Sequence, residues 1–315
     1  MEIAQKLSKD IQAICSCAGV PYIDVLLLRG TNMKISTEIG SIAALCGEEK
    51  AIEYVAKAGF DAWDCSISSM CPWDWANCRP LLKPHPFFEK GYLSYAKRLK
   101  QIGLDNGIVC NQSHAPFPTY DNNFDYIWRA IEFSAEVGAE ICVIHPNNDF
   151  TAEQNAEIYF KLLPFAKSHN VKIATENMWN MNFETNTPTL AACSTPDDFN
   201  AHLDAVNDPY FVACLDIGHA EMQGVGSNAL EMIKGLGKRL KALHIHDNDK
   251  LHDLHQIPFS MQIDFVAIVN ALKEIGYNGY LTLEAGTYMQ GYNTDNVFEG
   301  VKGLAESVKR MAKLF

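Results

Sequence analysis

The stretch Phe211-Val212-Ala213-Cys214-Leu215-Asp216-Ile217-Gly218-His219 decides how the chain is read. Five apolar residues run without polar alternation and then stop at a carboxylate. A strand covered on both faces reads this way, whereas a strand with one wet face alternates. The segment Val171-Lys172-Ile173-Ala174-Thr175-Glu176 repeats the plan, and so does Ala242-Leu243-His244 within the run that begins at Leu240. Working outward, short β-rich runs are expected at 33–39, 60–66, 107–113, 140–145, 171–176, 211–216, 240–246 and 280–284. Segments of helical period fall between and after them, at 48–58, 87–102, 124–137, 152–169, 196–206, 228–238, 264–275 and 293–311. Thr195-Pro196-Asp197 places a capping hydroxyl before a first-turn proline, and Gly59, Gly103, Gly138 and Gly276 sit where helices are expected to stop. Strands that alternate with helices form a parallel sheet, because each parallel pair needs a crossover. Eight such units in about 280 residues close into a single (β/α)8 TIM barrel of the α/β class. A doubly wound open sheet is the alternative, and the lack of a Gly-x-Gly-x-x-Gly turn after the first strand counts against it.

The barrel is assigned to residues 33–315 and a short N-terminal extension to residues 1–32, which fit the strand–helix pattern poorly. Arg29-Gly30 just before Met33 is compatible with a purine-rich ribosome-binding sequence, so translation is expected to start at Met33 rather than Met1. The composition, 48% hydrophobic and 20% charged, is that of an ordinary globular chain. A net charge of −12 without a Lys/Arg run makes nucleic acid an unfavourable partner. No apolar run approaches the roughly 20 residues that span a bilayer, so no membrane association is expected. The ten cysteines are scattered, with Cys65, Cys110, Cys142 and Cys214 inside apolar runs and no Cys-x-x-Cys pair. They read as buried small hydrophobes in a reducing, cytoplasmic protein. Whether the protein forms a homo-oligomer is left open.

Active sites of such barrels lie at the carboxyl ends of the strands, so the residue closing each strand carries information. Six consecutive strands end at His114, His145, Glu176, Asp216, His244 and Glu284. Carboxylates crowded into one poorly solvated mouth take up protons unless a cation lets them stay ionised. A mixed nitrogen and oxygen set suits Mn2+, Zn2+, Co2+ or Fe2+. His219, His246-Asp247 and the run His252-Asp253-Leu254-His255 follow the same strands closely. Single histidines in loops are more often plain surface residues, and His85, His169 and His202 read as structural. Trp73, Trp75 and Trp179 offer either a platform for the apolar face of a sugar or simple packing of the rim. Lys250 reads equally as a phosphate contact or a surface lysine.

Seven short motifs, in order at strand ends, carry a family resemblance. They are Ser-His-Ala-Pro at 113–116, Ile-His-Pro at 144–146, Thr-Glu-Asn-Met at 175–178, Leu-Asp-Ile-Gly-His-Ala at 215–220, Leu-His-Ile-His-Asp-Asn-Asp at 243–249, Asp-x-His at 253–255 and Leu-Glu at 283–284. Over about residues 33–312 the chain resembles the xylose isomerase-like barrels, which group sugar-phosphate isomerases and epimerases with zinc endonucleases that act at abasic sites. The isomerase branch implies one divalent ion, Mn2+ first, on Glu176, Asp216, His244 and Glu284, with Glu176 and Glu284 as the catalytic acid/base pair. It implies His219 as a substrate contact, and His114, His145, Asp253 and His255 are assigned with it to a small-molecule sugar or sugar phosphate. The endonuclease branch implies three zinc ions on those same nine residues. The expected activity is therefore a metal-dependent sugar or sugar-phosphate isomerase or epimerase. Two alternatives remain: a zinc phosphodiesterase acting on abasic DNA, and a keto-inositol dehydratase or keto-glycoside lyase on the same scaffold. A non-catalytic sugar-binding barrel is disfavoured, because mere binding needs no opposed pair of carboxylates.

Overall fold

The computed structural model describes residues 33–315, so the readings of residues 1–32 and of the Met33 start lie outside the described residues. Eight parallel strands occur where the apolar runs place them: β1 (Lys34–Thr37), β2 (Ala62–Ser66), β3 (Val109–His114), β4 (Ile141–Val143), β5 (Lys172–Glu176), β6 (Phe211–Asp216), β7 (Leu240–His244) and β8 (Tyr280–Leu283). Strands β2 to β7 pair in sequence order, and β1 pairs with β8. Two parallel bridges, Glu38 with Asp64 and Ile245 with Leu283, join these two parts. The backbone bonds Ile39 N to Asp64 O, 3.2 Å, and Ile245 N to Thr282 O, 3.0 Å, complete the ring. The sheet is a closed barrel, and the open doubly wound alternative falls away.

Side-chain alternation along each strand determines what reaches the mouth. Val143, Ala174, Val212, Cys214 and Ala242 form a small apolar cluster inside the barrel. Their neighbours Ile173, Ala213, Leu215 and Leu243 belong to the larger core between strands and helices. Counting on by twos, Glu176, Asp216, His244 and His246 share the inward phase. The interior beside β1, β3 and β8 is polar instead. Ser36 Oγ donates to Asn111 Oδ1 at 2.6 Å, Asn111 Nδ2 to Thr282 Oγ1 at 3.1 Å, and Gln112 Nε2 to Asp64 Oδ2 at 2.9 Å.

The helices are α1 (Glu48–Ala58), α2 (Tyr92–Asp105), α3 (Phe124–Val137), α4 (Ala152–Ser168), α5 (Pro196–Val206), α6 (Ala229–Leu236), α7 (Phe265–Glu274) and α8 (Val297–Ala312). Gly59 and Gly138 end α1 and α3 in the left-handed conformation, at φ 86° and 93°. Thr195 caps α5 by accepting from Asp198 N, with Pro196 in the first turn. The loops after β2 and β5 carry two small hairpins that the hydrophobic pattern did not announce, Trp73–Asp74 with Arg79–Pro80 and Asn180–Asn182 with Thr187–Thr189. An extra helix, Gly40–Cys46, precedes α1.

Gly103 corrects the sequence reading, because α2 runs through it to Asp105. A Cβ there would stand 3.0 Å from Trp63 Nε1 and 3.1 Å from Ile108 O, so this glycine admits the buried indole rather than stopping the helix. Alanine in place of glycine in an open helix gains about 1 kcal/mol. Gly103→Ala is nevertheless expected to lower the urea midpoint, and an unchanged or raised midpoint would return Gly103 to the ordinary helix glycines.

Candidate metal centre

Strand ends bring all nine sequence-designated residues to one end of the barrel. His114, Glu176, Asp216 and His244 close β3, β5, β6 and β7, while Glu284 follows β8 directly and His145 lies two residues past β4. His219 sits in a one-turn helix, Ile217–Ala220, capped by Asp216, whose Oδ1 accepts from His219 N at 2.7 Å. Asp253 and His255 come from the loop after β7. Donor atoms of Glu176, Asp216, His244 and Glu284 all lie within 4.8 Å of one another. The same spacing holds for His114, His145 and Glu176, and for His219, His246, Asp253 and His255. A cavity of about 450 Å³ opens over the cluster, walled by Trp75, Phe117, Tyr120, Met178 and Trp179.

Three histidines are oriented alike. The Nδ1–H of His114 donates to Ala115 O at 2.9 Å, that of His219 to Asn177 O at 3.0 Å, and that of His255 to Glu284 O at 2.6 Å. These bonds assign the tautomer and leave each Nε2 lone pair facing the cluster, as a ligating histidine requires. His114 Nε2 meets His145 Nε2 at 2.9 Å, an approach of two nitrogens that needs a proton or a cation between them. Glu176 Oε2, Asp216 Oδ2, Asp253 Oδ1 and both ring nitrogens of His246 are buried without a hydrogen-bond partner. His246 Nε2 lies 3.1 Å from Asp216 Oδ1 and 3.4 Å from Asp253 Oδ1, yet neither contact is aligned as a hydrogen bond. Buried polar atoms that converge on a point without bonding to one another are the expected signature of a cation site. The residues present thus fit a divalent metal.

His246 and Asp64 are the site residues that sequence reasoning left unassigned. His244 is held on both sides by carboxylates, with Nδ1 3.1 Å from Glu176 Oε1 and 3.4 Å from Glu284 Oε2, and Nε2 3.4 Å from Asp64 Oδ2. His246, one step higher on the same inward face, has both nitrogens free to ligate. The His-Ile-His spacing was the available signal, since residues two apart on a strand share a face. Asp64 had no comparable signal, because it lies inside its strand's run rather than at the end.

Electrostatics match this crowding. Burial lifts the Glu284 carboxyl to about 8, aided by the charges of Glu176 and Asp216. Burial also works to raise Glu176, but His244 and His145 outweigh it and hold that carboxyl well below its ordinary value. His114 is pushed down to about 4 by burial and by His145, which keeps it neutral and able to ligate.

Neighbouring residues position the side chains of the cluster. A Cβ on Gly218 would stand 2.0 Å from His246 Cε1, so only glycine leaves room for that ring. Asn177 ties the ends of β5 and β6 together, donating to Asp216 O at 2.9 Å and accepting from Asp216 N at 2.8 Å. The buried Asp247 carboxylate accepts from the backbone N–H of Asn248, Ser260, Met261 and Ile263, at 2.8–3.0 Å, and so shapes the loop that carries Asp253 and His255. His252 is exposed and pairs with Asp249, and Lys250 pairs with Glu221 at 2.9 Å. Neither reaches the cluster. His202, His85 and His169 make structural contacts with α4 and α5, Glu48 and Glu132 respectively.

Gly218→Ala should keep the fold while cutting divalent-metal affinity at least tenfold by calorimetric titration. Wild-type affinity in that variant would show that His246 does not take part. Asp247→Ala is expected to cost about 2 kcal/mol or more in urea unfolding, and to lower the metal bound per chain by elemental analysis.

A closed eight-stranded barrel with a histidine and carboxylate cluster at the carboxyl end of its sheet defines the class: a TIM barrel with a candidate metal centre. A family model described as xylose isomerase-like TIM barrel matches residues 52–314, and the chain belongs to that family. An uncharacterized protein of Methanocaldococcus jannaschii is 27% identical over 164 residues, 49% of this chain and 54% of that protein. A probable endonuclease 4 of Mesoplasma florum is 31% identical over 182 residues, 51% of this chain and 59% of that protein. The chain thus matches little more than half the length of these curated relatives. The crystal structure of a D-tagatose 3-epimerase-like protein superposes with a TM-score of 0.64 at 21% identity, covering 89% of this chain and 99% of that one. Among the described residues, no helix is long and apolar enough to cross a membrane.

Proposed function

We propose that this protein is a divalent-metal-dependent isomerase or epimerase of a sugar or sugar phosphate. The observation that carries the reading is the convergence of two carboxylates, Glu176 and Glu284, from β5 and the end of β8, with donor atoms within 4.8 Å of each other and of Asp216. Glu176, Asp216 and Glu284, together with His244 or His246, would hold the ion, Mn2+ being the first choice for this mixed donor set. A bound divalent ion there supplies Lewis acidity that makes the C–H beside a substrate carbonyl more acidic. One of the two glutamates takes that proton and the other returns one at the adjacent carbon or the opposite face. His114, His145, His219, Asp253 and His255 line the cavity where substrate oxygens would sit. The aromatic walls suit the apolar face of a sugar and exclude water from the reacting carbon. The D-tagatose 3-epimerase-like protein that shares this fold is named for chemistry of the same kind.

The test is wash-in of solvent deuterium into a panel of ketoses and ketose phosphates with added Mn2+. Exchange with at least one ketose is expected, and Glu176→Gln and Glu284→Gln should each reduce it at least about a hundredfold. Bound metal without exchange into any ketose would refute the isomerase reading. A dehydratase or lyase begins with the same proton abstraction, and the product distinguishes it.

A zinc phosphodiesterase acting on abasic DNA is the second reading, favoured by the two flanking groups, His114–His145–Glu176 and His219–His246–Asp253–His255. Against it, among the described residues those lining the cavity over the cluster include no Lys or Arg, and a net charge of −12 repels a phosphate backbone. Metal-dependent nicking of an abasic duplex would reverse the order of the two.

A further inference from the structure

The mouth of the barrel holds a second cavity of about 590 Å³ beside the first, and His114, His255 and Glu284 form the ridge between them. The lobe described above is built by loops after β3, β4 and β5, with Trp75 reaching in from the hairpin after β2, and is walled by aromatic rings. The second lobe is built by the ends of β1 and β2, which the histidine and carboxylate pattern passed over, together with the end of β8. Its walls carry Ser41, Ser66, Ser68, Ser69, Thr287 and Gln290. Close approach of the β1 and β2 loops depends on Gly40, where a Cβ would stand 2.3 Å from Ser69 Oγ.

The charges facing this lobe select what it can hold. Glu38, Glu48, Asp64 and Glu284 line it, and among the described residues Lys83 is the one Lys or Arg in its wall, beside the ridge histidines His114 and His255. Lys83 Nζ already donates to Ser69 O at 2.8 Å, and the Glu38 carboxylate is engaged by Ser41 and Ser66. Asp64 differs. It is 1% exposed, its Oδ2 accepts from Gln112, and its Oδ1 has no hydrogen-bond partner. Asp64 Oδ1 is itself out of reach of solvent, so Asp64 gives the lobe negative charge rather than a direct contact. The lobe therefore offers hydroxyls and an amide in a surrounding of negative charge, and it disfavours a phosphate. That is the complement of a neutral polyol. Either lobe alone has the size of an ordinary small-molecule site, roughly 300–1,000 Å³, so a single sugar ring at the cluster leaves the second one unused.

We infer that the substrate is an uncharged glycosylated ketose rather than a free or phosphorylated one. Its ketose unit lies in the aromatic lobe against the cluster, and its glycosyl unit crosses the ridge into the serine-lined lobe, where its hydroxyls meet those of Ser68, Ser69 and Thr287. This inference rests on the isomerase reading and narrows it.

The experiment uses the Mn2+-loaded protein and a defined panel: maltulose, isomaltulose and turanose, their parent D-fructose, and D-fructose 6-phosphate. Affinity is read from quenching of tryptophan fluorescence, since Trp75 and Trp179 wall the first lobe, and deuterium wash-in is followed on the same samples. At least one glycosylated ketose should bind ten times more tightly than fructose and than its phosphate. Ser68→Leu, which fills the second lobe, should bring that ratio close to one at unchanged metal content. If that variant does not fold, Thr287→Leu on another wall of the lobe carries the same test. Fructose or its phosphate binding as tightly as every glycosylated ketose, or a ratio that survives filling of the lobe, overturns the inference. Wash-in with fructose but without the preference removes only the glycosyl subsite. No wash-in with any ketose removes the isomerase reading and this inference with it.

Discussion

Glu176, Asp216, Asp253 and Glu284 meet His114, His145, His219, His244, His246 and His255 in a space where most of their atoms are out of reach of water. Desolvating a carboxylate costs several kcal/mol unless charge and hydrogen bonds are returned to it. The protein returns them only in part. His244 and His145 bring the Glu176 carboxyl down, but Glu284 is left with its carboxyl lifted to about 8, and five buried polar atoms of the cluster have no hydrogen-bond partner. A divalent cation would answer that imbalance, because donor atoms of these residues already lie within 4.8 Å of one another. The crowding is tolerable because the barrel is closed: eight strand ends are held by parallel hydrogen bonds all round the ring.

The surroundings of the cluster serve its orientation. Backbone carbonyls of Ala115, Asn177 and Glu284 hold three imidazoles in one tautomer, and the missing side chain of Gly218 leaves space for a fourth ring. The Asp247 carboxylate gathers four backbone amides, so the loop bearing Asp253 and His255 is fixed by a charge that never enters the site. These positioning residues make the geometry of the cluster a property of rigid strand ends rather than of free loops.

Much of the fold was legible because a doubly covered strand leaves a plain mark: apolar runs such as 211–215, each closed by a polar residue and followed by a helix with recognisable caps. Where the reading failed, a local signal had two physical causes. Gly103 looks like a helix stop in sequence, yet it makes room for Trp63, a residue some forty positions earlier. His246 and Asp64 escaped assignment for a related reason. A histidine two residues beyond another marks a shared face but not which ring has free nitrogens, and an aspartate within a strand run looks like any interrupted strand.

The sequence by itself determined the number and order of the strands, the side of the sheet on which chemistry is displayed, and the residue types displayed there, since these follow from periodicity and from where each apolar run ends. Tertiary structure alone decided which of those residues touch. Closure of the ring brought β1 beside β8 and set Asp64 under His244, and the strand phase put His246 against Asp216. It also opened a second, hydroxyl-lined lobe from segments distant in the chain. The physical reason is that hydrophobic pattern is encoded locally, within a few residues, whereas the distance between two buried polar atoms is fixed by the packing of the whole barrel.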